Sequence, residues 1–303
     1  MRGSTTTTAS SGKPGRLATA LRSLPVQLGL MFLMLAGLDL ACQLLGAYLV
    51  HATPAPQRDA ARLLGALLLS VAMIAAYRYL VRVLEQRAAD ELQRSGAARG
   101  LASGVAVGVA LFMLVYLILW GAGAVTFRGF NGFSGLGRAL SVAIASAFGE
   151  EIVFRGVVFR RVEEALGTST ALVISAAAFG LLHAGNSGAS WISTLAIALE
   201  SGVLLGIAYA ATRSLWPPIG LHLGWNFTEG GVFGAAVSGG QYQGLVSAAL
   251  SGPPWLTGGA FGPEASLAAL TVSLCASAAL GWYAVRSGVW RRARSRARSA
   301  ATY

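Results

Sequence analysis

Charge is scarce in this chain. Asp, Glu, Lys and Arg make up 12% of its 303 residues, about half the share found in a soluble domain. Lysine occurs once, at Lys13, and histidine three times. The two cysteines, Cys42 and Cys275, fall inside apolar runs near opposite ends of the chain. Thiols so placed act as small apolar groups and give no ground for disulfide or thiolate chemistry. His-Glu-x-x-His is absent, which excludes the helix-borne zinc motif of a site-two-type metalloprotease. No internal repeat is present either, so the related halves expected of many transporters are missing.

Apolar sequence fills the chain, with 55% of residues hydrophobic. Runs close to or beyond the ~18 residues that mark a membrane helix occur at Val26 to Val50, Leu63 to Leu80, Leu101 to Val125, Ala139 to Phe159, Thr170 to Ala184, Trp191 to Ala211, Pro217 to Val237 and Ala265 to Val285. The expected fold is all-α, a polytopic bundle of about eight transmembrane helices. Lys and Arg gather in the cytoplasmic loops of membrane proteins. With the N-terminus inside, the outer segments hold only Arg58, Arg62, Arg128 and Arg138, so both termini are expected in the cytoplasm. The net charge of +11 sits mainly in short loops and tails beside hydrophobic helices. That placement serves orientation and contact with the lipid bilayer, and no nucleic acid is expected as a partner.

Residues 1–22 read as a disordered basic cytoplasmic tail, 23–289 as one membrane domain and 290–303 as a second basic cytoplasmic tail. The polar motifs concentrate in a core at about 139–237. Residues 82–100 read as a helical extension of the second span, and 238–263, rich in Gly with Pro253-Pro254, as a long outer loop. One Lys among 23 basic residues, with heavy Ala and Gly use, marks a GC-rich bacterial genome, hence a bacterial inner membrane.

Three polar constellations interrupt the apolar runs. The first is Glu150-Glu151-Ile152-Val153-Phe154-Arg155. A charge at the centre of a membrane helix costs about 2.5 to 3.5 kcal/mol, so paired carboxylates there call for a function. Glu151 and Arg155 stand four apart on one helix face, acid first, the order a helical ion pair prefers. Glu150 points about 100° away, without a local partner and free to exchange a proton. The second, Phe179-x-x-x-His183, puts a ring and an imidazole on one face. The third, His222-x-x-x-Asn226, could donate jointly to an oxyanion or hold a water or metal. Either could also be a packing or interhelical hydrogen-bond pair. Taken with the glutamates, both fit one buried polar site of hydrolase composition.

In this order on successive helices, Glu150-Glu151-x-x-x-Arg155, Phe179-x-x-x-His183 and His222-x-x-x-Asn226 resemble the CPBP family of intramembrane proteases. The family takes in type II CAAX prenyl endopeptidases, bacteriocin-processing enzymes and abortive-infection proteins. The resemblance covers about Ser141 to Glu229. It implies hydrolysis of a membrane-bound protein or peptide substrate by an attacking water, in or near the bilayer. Carried over by position, Glu150 is the general base, His183 assists, and His222 and Asn226 stabilise the oxyanion. Glu151 and Arg155 form the supporting ion pair, with Phe179 beside His183. Two mechanisms stay open: a divalent metal such as zinc held by Glu150, His183 and His222, or a metal-free water polarised by Glu150 and His183.

On these boundaries His183 lies near the outer end of the fifth helix and His222 near the inner end of the seventh, too far apart for one site. The motifs require helix five to extend past Asn186, helix seven to begin before Pro217, or the helices to tilt or break around a water-filled cavity. Two other readings compete. Gly185-Asn186-Ser187-Gly188 with His222 downstream resembles part of a rhomboid-like serine protease, although Ser187 suits a Gly-rich turn better and Glu150 would have no role. Asp39 and Glu200, further acids in the first and sixth runs, suit a proton- or cation-coupled transporter or a non-catalytic membrane scaffold.

Overall fold

A computed structural model describes residues 23–292; the expected tails, 1–22 and all but the start of 290–303, lie outside the described residues. Three helices open the fold: α1 Leu24–Ala52, α2 Arg58–Leu80 with a π-helical end Val81–Glu85, and α3 Ala97–Gly121. Strand β1 (Val125–Phe130) leads to α4 (Leu136–Glu151), which runs unbroken through a π segment, Ile152–Phe159, into α5 (Arg160–Leu166). Gly167, at φ +83°, turns the chain back into α6 (Thr168–Leu182). Helices α7 (Trp191–Ile197) and α8 (Val203–Thr212) form one rod through the π segment Ala198–Gly202. Helix α9 (Trp216–Asn226) ends in a π segment, Phe227–Val232. Strand β2 (Val246–Leu250), the short α10 (Pro254–Thr257) and α11 (Leu267–Arg286) complete the chain.

The bundle has two distinct ends. The sheet closes one. At the other, Arg161 donates to Gln27 of α1, and Arg291, beyond α11, exchanges hydrogen bonds with Thr168. Both ends of the described chain therefore lie together.

Large apolar side chains face outward along the rods: on α1, Leu33, Leu40, Leu44, Leu45 and Tyr48 are all more than half exposed. Lipid tails cover such a surface where water would not. Six helical segments among the described residues are long and apolar enough to cross a membrane: Leu24–Ala52, Ala55–Glu85, Ala97–Gly121, Thr168–Gly185, Trp191–Thr212 and Leu267–Arg286. Two rods counted among the eight expected spans fall outside that set. One is α4–α5, loaded with Arg and Glu. The other is α9, whose 11 residues and 6-residue π end reach only about 25 Å. These two rods carry the paired glutamates and His222; charge at the site sets the first apart from the purely apolar class, and shortness the second.

The all-α expectation needs a correction. β1 and β2 pair antiparallel, from Val125 with Leu250 to Phe130 with Val246, and a bulge falls between Phe127 and Gly129. The strands lie far apart in sequence and lack a hairpin turn, the cue by which short strands are read. The expected outer loop at 238–263 thus contains β2 and α10. The expected helical extension over 82–100 also fails: helix stops at Glu85, and Gln86 takes a left-handed φ of +56°. Ion pairing is the cause. Glu85 turns to Arg160 at 2.5 Å, and Glu91 accepts from Arg87 at 2.9 Å and from the Tyr77 hydroxyl.

Glycines set the position of α9. Gly104 and Gly108 of α3 face Gly220 and Gly224 of α9, two pairs at the small-x-x-x-small spacing that lets membrane helices touch. A Cβ on Gly104 would lie 2.8 Å from the Leu221 nitrogen, and one on Gly224 would lie 3.0 Å from the Val105 Cα. His222 and Asn226, about 200° around the helix from those glycines, face the opposite way.

Candidate active site

A cavity of about 860 Å³ opens among α1, α2, α4, α6 and α9, and its lining includes Asp39, Glu150, His183, His222, Asn226 and Glu264. Adjacent positions on α4 send the two glutamates different ways. The Glu151 side chain is fully buried, whereas that of Glu150 keeps 21% exposure and borders the cavity.

Glu151 Oε1 accepts from Arg155 Nη1 at 3.0 Å and stands 3.0 Å from His222 Nδ1. An ionised carboxylate only accepts, so Nδ1 carries the hydrogen and Nε2 is the free nitrogen of the ring. Arg155 Nη2 donates to the Ser201 and Gly202 carbonyls at 3.0 and 3.2 Å, and its guanidinium lies 4.5 Å from the Phe179 ring centroid. One carboxylate, two carbonyls and a ring face thus offset the burial of this cation. The expected ion pair is present, and it also orients His222.

His183 opens a single 3-10 turn, His183–Gly185, at the end of α6. Its Nδ1 lies 2.9 Å from the Phe179 carbonyl, which can only accept, so Nδ1 donates and Nε2 is left facing Glu150. Nε2 and Glu150 Oε2 are 3.9 Å apart, too far for a direct hydrogen bond and suited to one shared water. Among the described residues Glu150 Oε2 has no hydrogen-bond partner. Phe179 lies between the histidines, its centroid 4.8 Å from the His183 ring and 6.3 Å from that of His222. Asn226 Nδ2 donates to Ser146 Oγ at 3.3 Å, one turn before Glu150 on α4.

The two histidines meet by a route that the run boundaries obscured. Helix α6 stops at Leu182, and α9 begins at Trp216, one residue before Pro217. What brings them level is that α9 starts deep inside the bundle. Leu215 packs on Gly156, where a Cβ would lie 3.3 Å from it, while α5 continues to Leu166, about 15 Å further on.

Zinc coordination by Glu150, His183 and His222 gains no support from this arrangement. Among the described residues no three His, Cys, Asp or Glu side chains converge as metal ligands. Each histidine gives Nδ1–H to an oxygen, of the Phe179 carbonyl or of Glu151, which leaves Nε2 as its free nitrogen. Ser187 lines the cavity beside Gly188, whose φ of +70° makes the turn, and forms no hydrogen bond with His183 or His222.

Some site residues escaped the motif reading. Glu264, 2% exposed, reaches the cavity from the loop before α11 and accepts from the Ser238 amide. Glu229, fully buried behind it, accepts from the Glu264 amide at 3.2 Å. Their only cue was isolation in apolar or Gly-rich sequence. Asp39 gave the same cue and does face the cavity: Oδ2 accepts from Gln43 at 2.6 Å, while Oδ1 is unpartnered and close to Gly149, where a Cβ would lie 2.5 Å from it. Glu200 does not line the cavity and accepts from Ser201 and Ser273.

Residues 132–228 match the family model described as Type II CAAX prenyl endopeptidase Rce1-like. No curated protein and no solved structure matches the chain. The match begins just before α4 and ends just past Asn226, so it frames the three rods whose side chains meet at the cavity. That segment of an integral membrane chain, with its acids on α4 and its histidines at the end of α6 and on α9, is an Rce1-like domain and supports a CPBP-type intramembrane protease.

Proposed function

We propose that the protein is an intramembrane endopeptidase that hydrolyses membrane-associated proteins or peptides with a water activated by Glu150 and His183. The observation that carries this reading is the unpartnered Glu150 Oε2 standing 3.9 Å from His183 Nε2 at the cavity wall. A water between them gives one proton to Glu150 and one hydrogen bond to Nε2, and its oxygen attacks the scissile carbonyl carbon. The carbonyl oxygen becomes an oxyanion. His222 in its doubly protonated form keeps Nδ1–H on Glu151 and offers Nε2–H to that oxyanion, with Asn226 Nδ2 as the second donor. Collapse of the tetrahedral intermediate breaks the C–N bond, and the proton held by Glu150 passes to the leaving amine. No step needs a metal.

Orientation with both ends in the cytoplasm of a bacterial inner membrane follows from the arginine distribution and the Arg-rich composition. The scaffold or transporter reading rests on Asp39, a further acid in the same cavity. New protein termini in membranes of cells expressing wild type or Glu150→Gln at matched levels, read by mass spectrometry, separate the two. Termini seen only with the wild type are expected; identical sets from both proteins would favour the scaffold or transporter.

A further inference from the structure

The cavity has a second polar feature that the hydrolytic groups leave unused. At the sheet end, the described residues carry four arginines, Arg58, Arg62, Arg128 and Arg138, and all but Arg128 line the cavity. The starts of α2 and α4 touch there: a Cβ on Gly137 would lie 2.6 Å from the Asp59 Cβ, and Asp59 holds Arg62 at 2.6 Å. Arg58 gives its Nε to the Thr53 carbonyl at 3.1 Å, and the Arg138 guanidinium lies 5.5 Å from the Tyr242 ring centroid. Among the described residues neither is paired with a carboxylate. Three cations therefore meet one acid at this end, whereas Asp39, Glu150 and Glu264 line the rest of the cavity.

We propose that Arg58 and Arg138, flanked by Arg62, form a subsite for a carboxylate of the substrate, either an acidic side chain or a chain terminus. Guanidinium groups bind carboxylates through short, charge-assisted hydrogen bonds. Their place along α4 sets the spacing. Arg138 and Glu150 lie on one unbroken helix, about 18 Å apart along its axis. An extended peptide advances about 3.3 Å per residue, so the carboxylate sits roughly four to six residues from the scissile bond. That spacing rests on the hydrolytic reading of the cavity, whereas carboxylate binding does not. Arg58, Arg62 and Arg138 line the same cavity as Glu150, which favours a peptide over the headgroup of a bilayer lipid.

The test uses the full chain in nanodiscs of phosphatidylcholine. Wild type is given a mixed peptide library and the cut positions are read by mass spectrometry. Acidic groups four to six residues from the cut should be enriched, and the ratio of acidic to neutral peptides cleaved should fall at least fivefold in Arg58→Gln with Arg138→Gln. Cleavage without that enrichment overturns the subsite and leaves the protease intact. Glu150→Gln protein supplies a second reading that needs no turnover: fluorescence anisotropy should show at least fivefold tighter binding of a peptide with Glu at its end than of the Gln counterpart. Equal affinities overturn the subsite even where no cleavage is seen. Arginine-dependent retention of phosphatidylglycerol without peptide discrimination would make the mouth a lipid site and overturn the proposal.

Discussion

Glu151 Oε1 lies 3.0 Å from His222 Nδ1, which makes the second glutamate of the pair a link between α4 and α9. The same oxygen is 3.0 Å from Arg155 Nη1. Removing one partner of a buried ion pair costs about 3–5 kcal/mol, because the other charge is left uncompensated. Glu151→Leu and Arg155→Met should each lose stability on that scale. Combined, they remove both charges of the pair together, and the double variant should unfold at a higher temperature than either single one. Its cleavage should nevertheless stay more than tenfold below wild type, since His222 Nδ1 has lost its acceptor. Thermal unfolding in detergent beside a cleavage assay checks both outcomes, and a fully active double variant would remove His222 from the chemistry.

His183 offers Nε2 to the water that Glu150 would deprotonate. His183→Ala leaves that water with one polar contact in place of two. A general acid–base group is worth about 10²- to 10⁴-fold in rate, so kcat should fall within that range while KM moves less than threefold. Ser187→Ala should stay within twofold of wild type in both constants. The opposite pattern, with Ser187 essential and His183 dispensable, would move the chain to the serine class.

Legibility in the sequence followed the range of each interaction. The Glu151–Arg155 pair and the shared face of Phe179 and His183 obey helical spacing, so four-residue separations announced them. The outward aim of Glu150 followed from the 100° step between neighbours. What stayed hidden depends on contacts between distant segments. Leu215 packing on Gly156 sets the depth of α9, and no periodicity in either helix encodes it. β1 needs β2 from beyond α9, and Glu264 arrives from a loop without regular pattern. The break after Glu85 had a local cue in alternating charge, but its cause is Arg160, on another rod.

Close approach of α3 and α9 makes Gly104 a remote control on the site. A Cβ there meets the backbone of α9 at Leu221, and backbone cannot swing aside as a side chain can. Gly104→Val should cost about 1–3 kcal/mol by overpacking. It should also lower cleavage more than tenfold, because His222 and Asn226 move with α9. Gly29→Ala on α1, where a Cβ meets nothing within 4 Å, is the control and should stay within about 0.5 kcal/mol. Equal unfolding temperatures for Gly104→Val and wild type would show that the two helices can part without loss.

The charged cluster at the end opposite the sheet predicts how acid unfolds the protein. Burial pushes the Glu91 carboxyl up, but hydrogen bonds from Arg87 and Tyr77 and the charge of Arg160 outweigh it, so its proton affinity falls below the ordinary value of 4.5. A carboxyl lowered in this way contributes stability that is complete above its unfolded value and lost as pH falls through the lower folded one. The side chain is 5% exposed, which limits screening by solvent. Wild type should therefore out-melt Glu91→Gln by a constant margin between about pH 7 and pH 5.5, and the margin should shrink below about pH 4. Unfolding temperatures of the two proteins across that range decide the matter. A margin that grew in acid would mean that Glu91 is buried at a net cost, and parallel curves throughout would mean that Arg87, Tyr77 and Arg160 hold this end of the bundle without it.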